Sequence, residues 1–307
     1  MLETPSYMKL LPPETVATLG RLEFLAKGVM EGSISGRHRS PHKGFSVEFA
    51  EHRQYVPGDD LRNLDWRVLG RSDKYYIRQY VDETNLRSTI LLDASGSMKY
   101  RGEQSAMLDG KRLSKFEYAQ HLAAALTYLL IHQQDAVGLV TFDTELRRYI
   151  PAKSKPSQIR QILQELEKTE PGGETSIPPI FHDIAERIHA RGVVVIISDL
   201  FDSAEEIIKA LHHFKYRRHE VIVLHVMAEE ELTFPFNSFT RFKCLENPEI
   251  ALPIDPKTLK AMYLDKVSSF LKTLENDCGK LKIEYIPMST AKPYDTALAE
   301  YLTSRRL

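Results

Sequence analysis

From Arg87 onward four short apolar runs recur, STILLD, AVGLVTFD, GVVVIISDL and EVIVLHV, mostly separated by segments whose apolar residues repeat every three or four positions. Continuous apolar strands suit a sheet covered on both faces, and alternation with helices brings parallel pairing. The pattern therefore predicts an α/β fold with a doubly wound, mostly parallel sheet. The helix at 115–134 is the clearest, with Phe116, Ala119, Leu122, Ala123, Leu126, Leu129 and Leu130 on one stripe. Further helices are expected at 156–168, 177–190 and 203–216. The run ELRRYIP follows the second strand too closely for a crossover and should return as an antiparallel edge strand. Beyond residue 230, FTRFKCLENPEIALPID predicts a hairpin about Asn247 and Pro248. A helix at 256–277, the strand KLKIEYIPM and a last helix from Tyr294 to Arg305 should follow.

Ahead of Arg87 the pattern differs. Val16, Leu19, Leu22 and Leu25 or Val29 are spaced for an amphipathic helix that ends near Gly32. The stretch 32–44, GSISGRHRSPHKG, reads as a loop, and 45–80 as short strands joined by turns, VPGDD among them. The expected organisation is an N-terminal helix and β-hairpin platform over 1–86, and a sheet domain over 87–307 with a hairpin insertion around 232–255.

Composition removes several function classes. With 42% hydrophobic residues and a formal net charge of -1, the chain has no global electrostatic attraction for nucleic acid. The basic stretch at 215–218 reads as a solvated helix end. Two cysteines, Cys244 and Cys278, build neither a zinc site nor a disulfide framework and fit a reducing compartment. The start carries no basic and apolar leader, and no stretch approaches the ~18 apolar residues of a membrane span. The expectation is a soluble, cytoplasmic protein. The histidines share no ligand spacing with carboxylates or thiols and read as surface or satisfied side chains.

Candidate chemistry gathers where strands end. In open α/β sheets ligands bind outside the carboxyl ends of the strands, where the strand order reverses. Asp93 follows the first strand, with Ser95 and Ser97 at alternate positions; Asp199 follows the strand VVVIIS; and the glycine-rich PGGETSIP brings Thr175 to the start of a helix. Two carboxylates and three hydroxyls are hard oxygen donors, suited to Mg²⁺ or Mn²⁺ and poorly suited to zinc or copper. A shell rich in neutral hydroxyls leaves the cation much of its charge, so it can attract an external carboxylate. The bland alternatives are a capped turn at 93–97 and helix caps at Thr175 or Ser176 and at Asp199 or Asp202. The sequence after Met98 does not continue as a helix, which weighs against the first of these.

DASGSM at 93–98, GGET at 172–175 and SDL at 198–200 resemble the metal-ion-dependent adhesion site of von Willebrand factor type A domains. The block EFAEHRQYVPGDDLRNLDWRVLGR, 48–71, resembles the signature of the bacterial family called domain of unknown function fifty-eight. The resemblance implies a Rossmann-like type A fold, with Ser95 and Ser97 as direct ligands of Mg²⁺ (or Mn²⁺). It also implies that Thr175 joins directly or through water, and that Asp93 and Asp199 act largely through bound water. In the signature block, Arg53, Tyr55, Asp59, Asp60, Arg62, Asp65 and Trp66 read as a structural platform or a docking surface, with Trp66 most simply a core or inter-domain anchor. Members of that family are often tethered by hydrophobic segments ahead of the signature, and this chain shows none.

The family is associated with MoxR-type AAA+ ATPases in chaperone-like work. The chain has no G-x-x-x-x-G-K-[ST] loop, so the resemblance implies an adaptor that binds a protein partner, the ATPase or a client, with no enzymatic activity of its own. The contrasting hypothesis is a Mg²⁺-dependent phosphohydrolase using Asp93 as nucleophile. Ser95 stands where such an enzyme needs its acid/base, and a hydroxyl fills that role poorly near neutral pH.

Overall fold

A computed structural model of the chain describes residues 9–20, 22, 24, 38–39, 48–56, 64–72, 75–81, 83–84, 86–173, 177–246 and 249–306. Two units emerge, a sheet unit of Met1–Leu25 with Arg87–Leu307 and a smaller unit, Ala26–Leu86.

The sheet unit is built on β1 (Arg87–Asp93), β2 (Ala136–Phe142), β3 (Leu146–Lys153), β4 (Val193–Ser198), β5 (Glu220–Met227) and β6 (Glu284–Ser289). Their spatial order is β6-β5-β4-β1-β2-β3. Every neighbouring pair is parallel except β2 with β3, where the short connection leaves only a hairpin return. The chain runs outward from β1 to β3, then crosses back to β4 on the other side of β1. That reversal puts the switch point between the carboxyl ends of β1 and β4.

Helices cover both faces: α1 (Pro13–Leu19), α2 (Lys115–His132), α3 (Ser157–Lys168), α4 (Ile177–Arg187), α5 (Ala204–Tyr216), α6 (Pro256–Lys280) and α7 (Tyr294–Arg306). Strand residues alternate between the faces. Leu91, Val140, Val194, Ile196, Val221 and Val223 pack with Phe181, Ile184, Phe214 and Leu274 of α4, α5 and α6. Their neighbours in the strands, such as Ile90, Leu139, Val195 and Ile222, are equally buried from the other side, which is why the strands read as unbroken apolar runs. Each such aliphatic side chain withdrawn from water contributes about 1.5–3 kcal/mol before the ordering cost is set against it. A capping box starts α2: Ser114 Oγ accepts from the Glu117 N–H at 3.1 Å, and Glu117 Oε2 accepts from the Ser114 N–H at 2.7 Å.

Two expectations about the amino-terminal region change. The first helix stops at Leu19 instead of running to Gly32: Gly20 still donates to Val16 O, but the Leu22 N–H turns back to Leu19 O at 2.9 Å and Gln133 Oε1 captures the Phe24 N–H at 3.0 Å. That helix also belongs with the sheet unit and not with the platform. Leu19 is fully buried, Thr15 bonds the Tyr294 hydroxyl at 2.6 Å, and the Arg305 guanidinium lies 4.8 Å over the Phe24 ring.

In the smaller unit, strands Glu48–Gln54 and Tyr76–Val81 pair antiparallel, with Arg53 opposite Ile77. Half-buried Tyr55 lies beside Tyr75, their ring centroids 6.2 Å apart. Asp65 caps a short helix, Trp66–Ser72, by accepting from the Arg67 and Val68 N–H groups at 2.9 and 3.2 Å. Trp66 corrects the sequence reading: it is 63% exposed, and Leu64 supplies the buried apolar group instead. Asp59, Asp60 and Arg62 lie outside the described residues.

After β5 the chain forms a short helix, Glu229–Thr233, and turns at Phe234 through a left-handed φ of 44°. It then makes the expected hairpin, Thr240–Lys243 with Ala251–Ile254; Asn247 and Pro248 are outside the described residues. Phe234 packs with Phe236, Phe242 and Tyr263 at centroid distances of 5.1, 5.8 and 4.7 Å, fastening the hairpin to α6.

Candidate metal centre

Beyond Asp93 the chain stays on the sheet for one more residue, through the Ala94 N–H bond to Phe142 O at 2.7 Å, and then makes a 3-10 turn over Gly96–Lys99. Asp93 ties the two strand ends together. Its Oδ1 accepts the Ser95 N–H at 2.9 Å, its Oδ2 accepts the Ser198 hydroxyl at 2.5 Å, and Ser198 Oγ in turn accepts the Leu200 N–H at 2.9 Å. Ser95 Oγ and Ser97 Oγ are 3.0 Å apart. Asp199, one residue past β4, accepts from Lys115 Nζ on Oδ2 at 2.7 Å, while its Oδ1 is buried without a hydrogen-bond partner.

The glycine-rich loop is stitched to this turn by two backbone bonds, Gly172 N–H to Ala94 O and Gly96 N–H to Gly173 O, both 2.8 Å. Gly173 has a φ of 83°, which disfavours a side chain there, and a Cβ would also stand 3.0 Å from Asp143 Oδ2. The structure thus brings together Asp93, Ser95, Ser97, Asp199 and the start of the loop that carries Thr175. Thr175 itself lies outside the described residues.

The site's electrostatics are those of crowded acids. Burial, and then the charge of Asp199, push the Asp93 carboxyl up to about 7 despite hydrogen bonds from Ser198 and Ser95. Burial alone would lower the Lys115 ammonium, but Asp199 and Glu231 hold it above the usual lysine range. Burial likewise keeps His225 neutral, with a pKa down at about 4; its Nε2 lies 2.9 Å from Asp199 O and its Nδ1 2.5 Å from the Tyr285 hydroxyl. Beside Asp199 opens a cavity of about 420 Å³ whose lining includes Lys115, His225, Glu231, Phe201 and Phe270.

Sequence reasoning missed Lys115, His225 and Glu231. Lys115 left a signal: a cation at the first position of a helix is disfavoured by the helix dipole, so something else must hold it there. His225 and Glu231 left none, being an alternate residue of an apolar strand and one of three consecutive glutamates.

The donor set, hydroxyls and carboxylates without imidazole or thiolate, fits a small hard cation by its chemistry. In the structure the hydroxyls of Ser95 and Ser97 share a hydrogen bond at 3.0 Å. Asp199 keeps one oxygen buried without a hydrogen-bond partner, beside a second buried carboxyl, Asp93, whose pKa its charge helps to raise. Among the described residues no group of three or more His, Cys, Asp or Glu is arranged for a metal, so hydroxyls must carry part of any coordination.

These features define a doubly wound α/β domain with a buried cluster of oxygen-bearing side chains at its switch point. The chain belongs to the family described as protein of unknown function DUF58, whose family model matches residues 51–263. It is 26% identical over 232 residues to the uncharacterized proteins Rv1480 of Mycobacterium tuberculosis and Mb1516 of Mycobacterium bovis, covering 73% of this chain and 68% of each relative. Among solved structures it is similar to the conserved hypothetical protein BatB from Bacteroides thetaiotaomicron, at 16% identity and a TM-score of 0.47, covering 72% of this chain and 99% of that one. Similarity to the SpRpn10 VWA domain reaches a TM-score of 0.41 at 10% identity, over 69% of this chain and 94% of that one. Among the described residues no helix is long and apolar enough to cross a membrane.

Proposed function

We propose that the protein is a non-enzymatic binding module that grips an acidic side chain of a protein partner through a divalent cation, Mg²⁺ or Mn²⁺. Ser95 and Ser97 would hold the ion directly, with Asp93 and Asp199 orienting water around it and Thr175 completing the shell. The observation that supports the reading is the gathering, at the adjacent ends of β1 and β4, of the hydrogen-bonded Ser95 and Ser97 hydroxyls, buried Asp93, and Asp199 with a buried oxygen that has no hydrogen-bond partner. When bound, the cation supplies Lewis-acid affinity for an incoming carboxylate. The protein's own share is to hold the hydroxyls at the right spacing and to keep bulk water away from them.

The alternative, a phosphohydrolase, is disfavoured by the placement of Asp93. Both of its oxygens are engaged inside the fold and the side chain is fully buried, so neither faces an incoming phosphoryl group. The family resemblance points to a MoxR-type AAA+ ATPase, or a client that it remodels, as the partner, in the cytoplasm.

The test is affinity capture from native lysate with wild type and with Ser95→Ala/Ser97→Ala, each in Mg²⁺ and in EDTA. Retention of an AAA+ ATPase or a defined client only by wild type in Mg²⁺ supports the reading. Equal retention in all four conditions refutes metal control.

A further inference from the structure

Helix α6 has 25 residues and is about 37 Å long, whereas the 6 residues of β6, the strand it packs on, reach about 20 Å. Only part of the helix can lie on the sheet. Leu274 and Cys278 are buried in its second half, while none of the residues 257–273 is buried. Tyr263, Lys266, Val267 and Phe270, spaced three and four apart on one helical face, instead line the cavity of about 420 Å³ beside Asp199. That volume lies within the range of about 300–1,000 Å³ usual for small-ligand sites.

The facing wall is the connection from β4 to α5. Leu200 takes a left-handed φ of 49°, a costly conformation for a branched side chain, and is fixed there by its N–H bond to Ser198 Oγ and by the Asp202 N–H bond to its carbonyl at 2.8 Å. Phe201, next in the chain, lines the cavity and is 65% exposed. A strained turn that leaves a phenyl ring in water costs stability twice over, and an apolar body bound against the ring offsets the second cost.

The polar groups of the lining decide what the occupant carries. His225 has both ring nitrogens engaged, and Lys115 is shared between Asp199 and Glu231, so these inner groups call for no polar partner. Asp202 accepts the Ser203 N–H at 2.7 Å, at the positive end of α5. Lys266 differs: it lines the cavity, is exposed, and makes no hydrogen bond or ion pair among the described residues.

We propose that the cavity between α6 and the β4–α5 connection binds a small amphipathic acid, its aliphatic or aromatic body lodged against Phe201, Val267 and Phe270 and its anionic group at Lys266. The assignment does not depend on a cation at Ser95 and Ser97.

The test titrates the full chain with anilinonaphthalene sulfonate, an aromatic body with one anionic group, in EDTA so that the metal reading is not engaged. One saturable site with blue-shifted emission is expected, displaced by decanoate and not by decyltrimethylammonium. Lys266→Ala should weaken the probe by about two- to fivefold, the range of one exposed ion pair, and Lys272→Ala, an exposed lysine elsewhere on α6, should leave it unchanged. Val267→Trp, which fills the cavity, should abolish the site with native circular dichroism retained. Phe201→Ala, at an exposed position, should weaken binding without disturbing the fold. Absence of a saturable site in wild type, or probe affinity unchanged in Val267→Trp and Phe201→Ala, would overturn the proposal. Equal affinity in Lys266→Ala and Lys272→Ala would overturn the assignment of the anionic group. None of these results bears on Mg²⁺ binding, which is measured separately.

Discussion

Lys115 is the residue whose removal the structure makes most informative. Its side chain is 2% exposed and donates at 2.7 Å to Asp199, whose side chain is 3% exposed, and at 2.7 Å to Glu231, whose side chain is 28% exposed. Lys115→Met keeps the aliphatic stem and deletes the charge. Breaking a buried pair from one side costs roughly 3–5 kcal/mol, because the remaining carboxylate stays buried and unpaired. Glu231 can turn toward water, so the penalty falls mainly on Asp199 and the lower half of that range applies. For a chain of this size, with an unfolding entropy of roughly 0.6 kcal/mol/K, that is a fall in Tm of roughly 5–6 °C, measured by thermal unfolding in EDTA. The penalty should shrink when Mg²⁺ is added, since a cation at Ser95 and Ser97 offers Asp199 a second source of positive charge, and Mg²⁺ should raise the variant's Tm more than the wild type's. A loss below about 1 kcal/mol in EDTA would refute the claim that the ammonium holds Asp199 in place. Equal Mg²⁺ responses in both proteins would refute its electrostatic link to the cation.

Further outcomes follow from other contacts. His225 is held neutral with a pKa near 4, whereas the unfolded chain takes up that proton near 6.5. In that window the unfolded state binds more protons, so stability should fall as pH is lowered, by up to about 1.4 kcal/mol per unit, and urea midpoints at roughly pH 7 and pH 5 should show a smaller drop in His225→Gln. Gly192→Ala places a Cβ 2.2 Å from Arg87 O at the head of β1, and a loss of about 1–3 kcal/mol or more should appear in denaturant unfolding. Ser114→Ala removes the hydroxyl half of the α2 capping box and should cost about 1 kcal/mol, or roughly 1–2 °C in Tm, with secondary structure unchanged by circular dichroism.

The sheet was legible because burial on both faces leaves a mark in every strand residue: the runs at Ile90, Val140, Ile196 and Val223 have no polar alternation to confuse them. The return of β3 was legible from chain length alone. Four of the five proposed ligands could be placed together because Asp93 and Asp199 each follow a strand that must end on the same rim. What escaped the sequence was settled by contacts distant along the chain. Nothing near Leu19 announces that Gln133 will capture the Phe24 backbone, and Trp66 looks like a core residue until Leu64 takes the inward position two residues earlier. The cluster of Phe234, Phe236, Phe242 and Tyr263 was equally hidden, since the spacing of the four follows no helix or strand period.

The small first helix and the last one are partners, joined by the Thr15 bond to Tyr294 across 279 positions. α1 also packs on α2, and Gln133 just past α2 holds the Phe24 backbone, so α1 has one set of contacts about a hundred positions away and another almost three times as far. Contacts of the longer separation carry the larger loop-closure cost and form late. The Thr15 bond to Tyr294 therefore works as a clasp that shuts after the sheet between the two helices has formed.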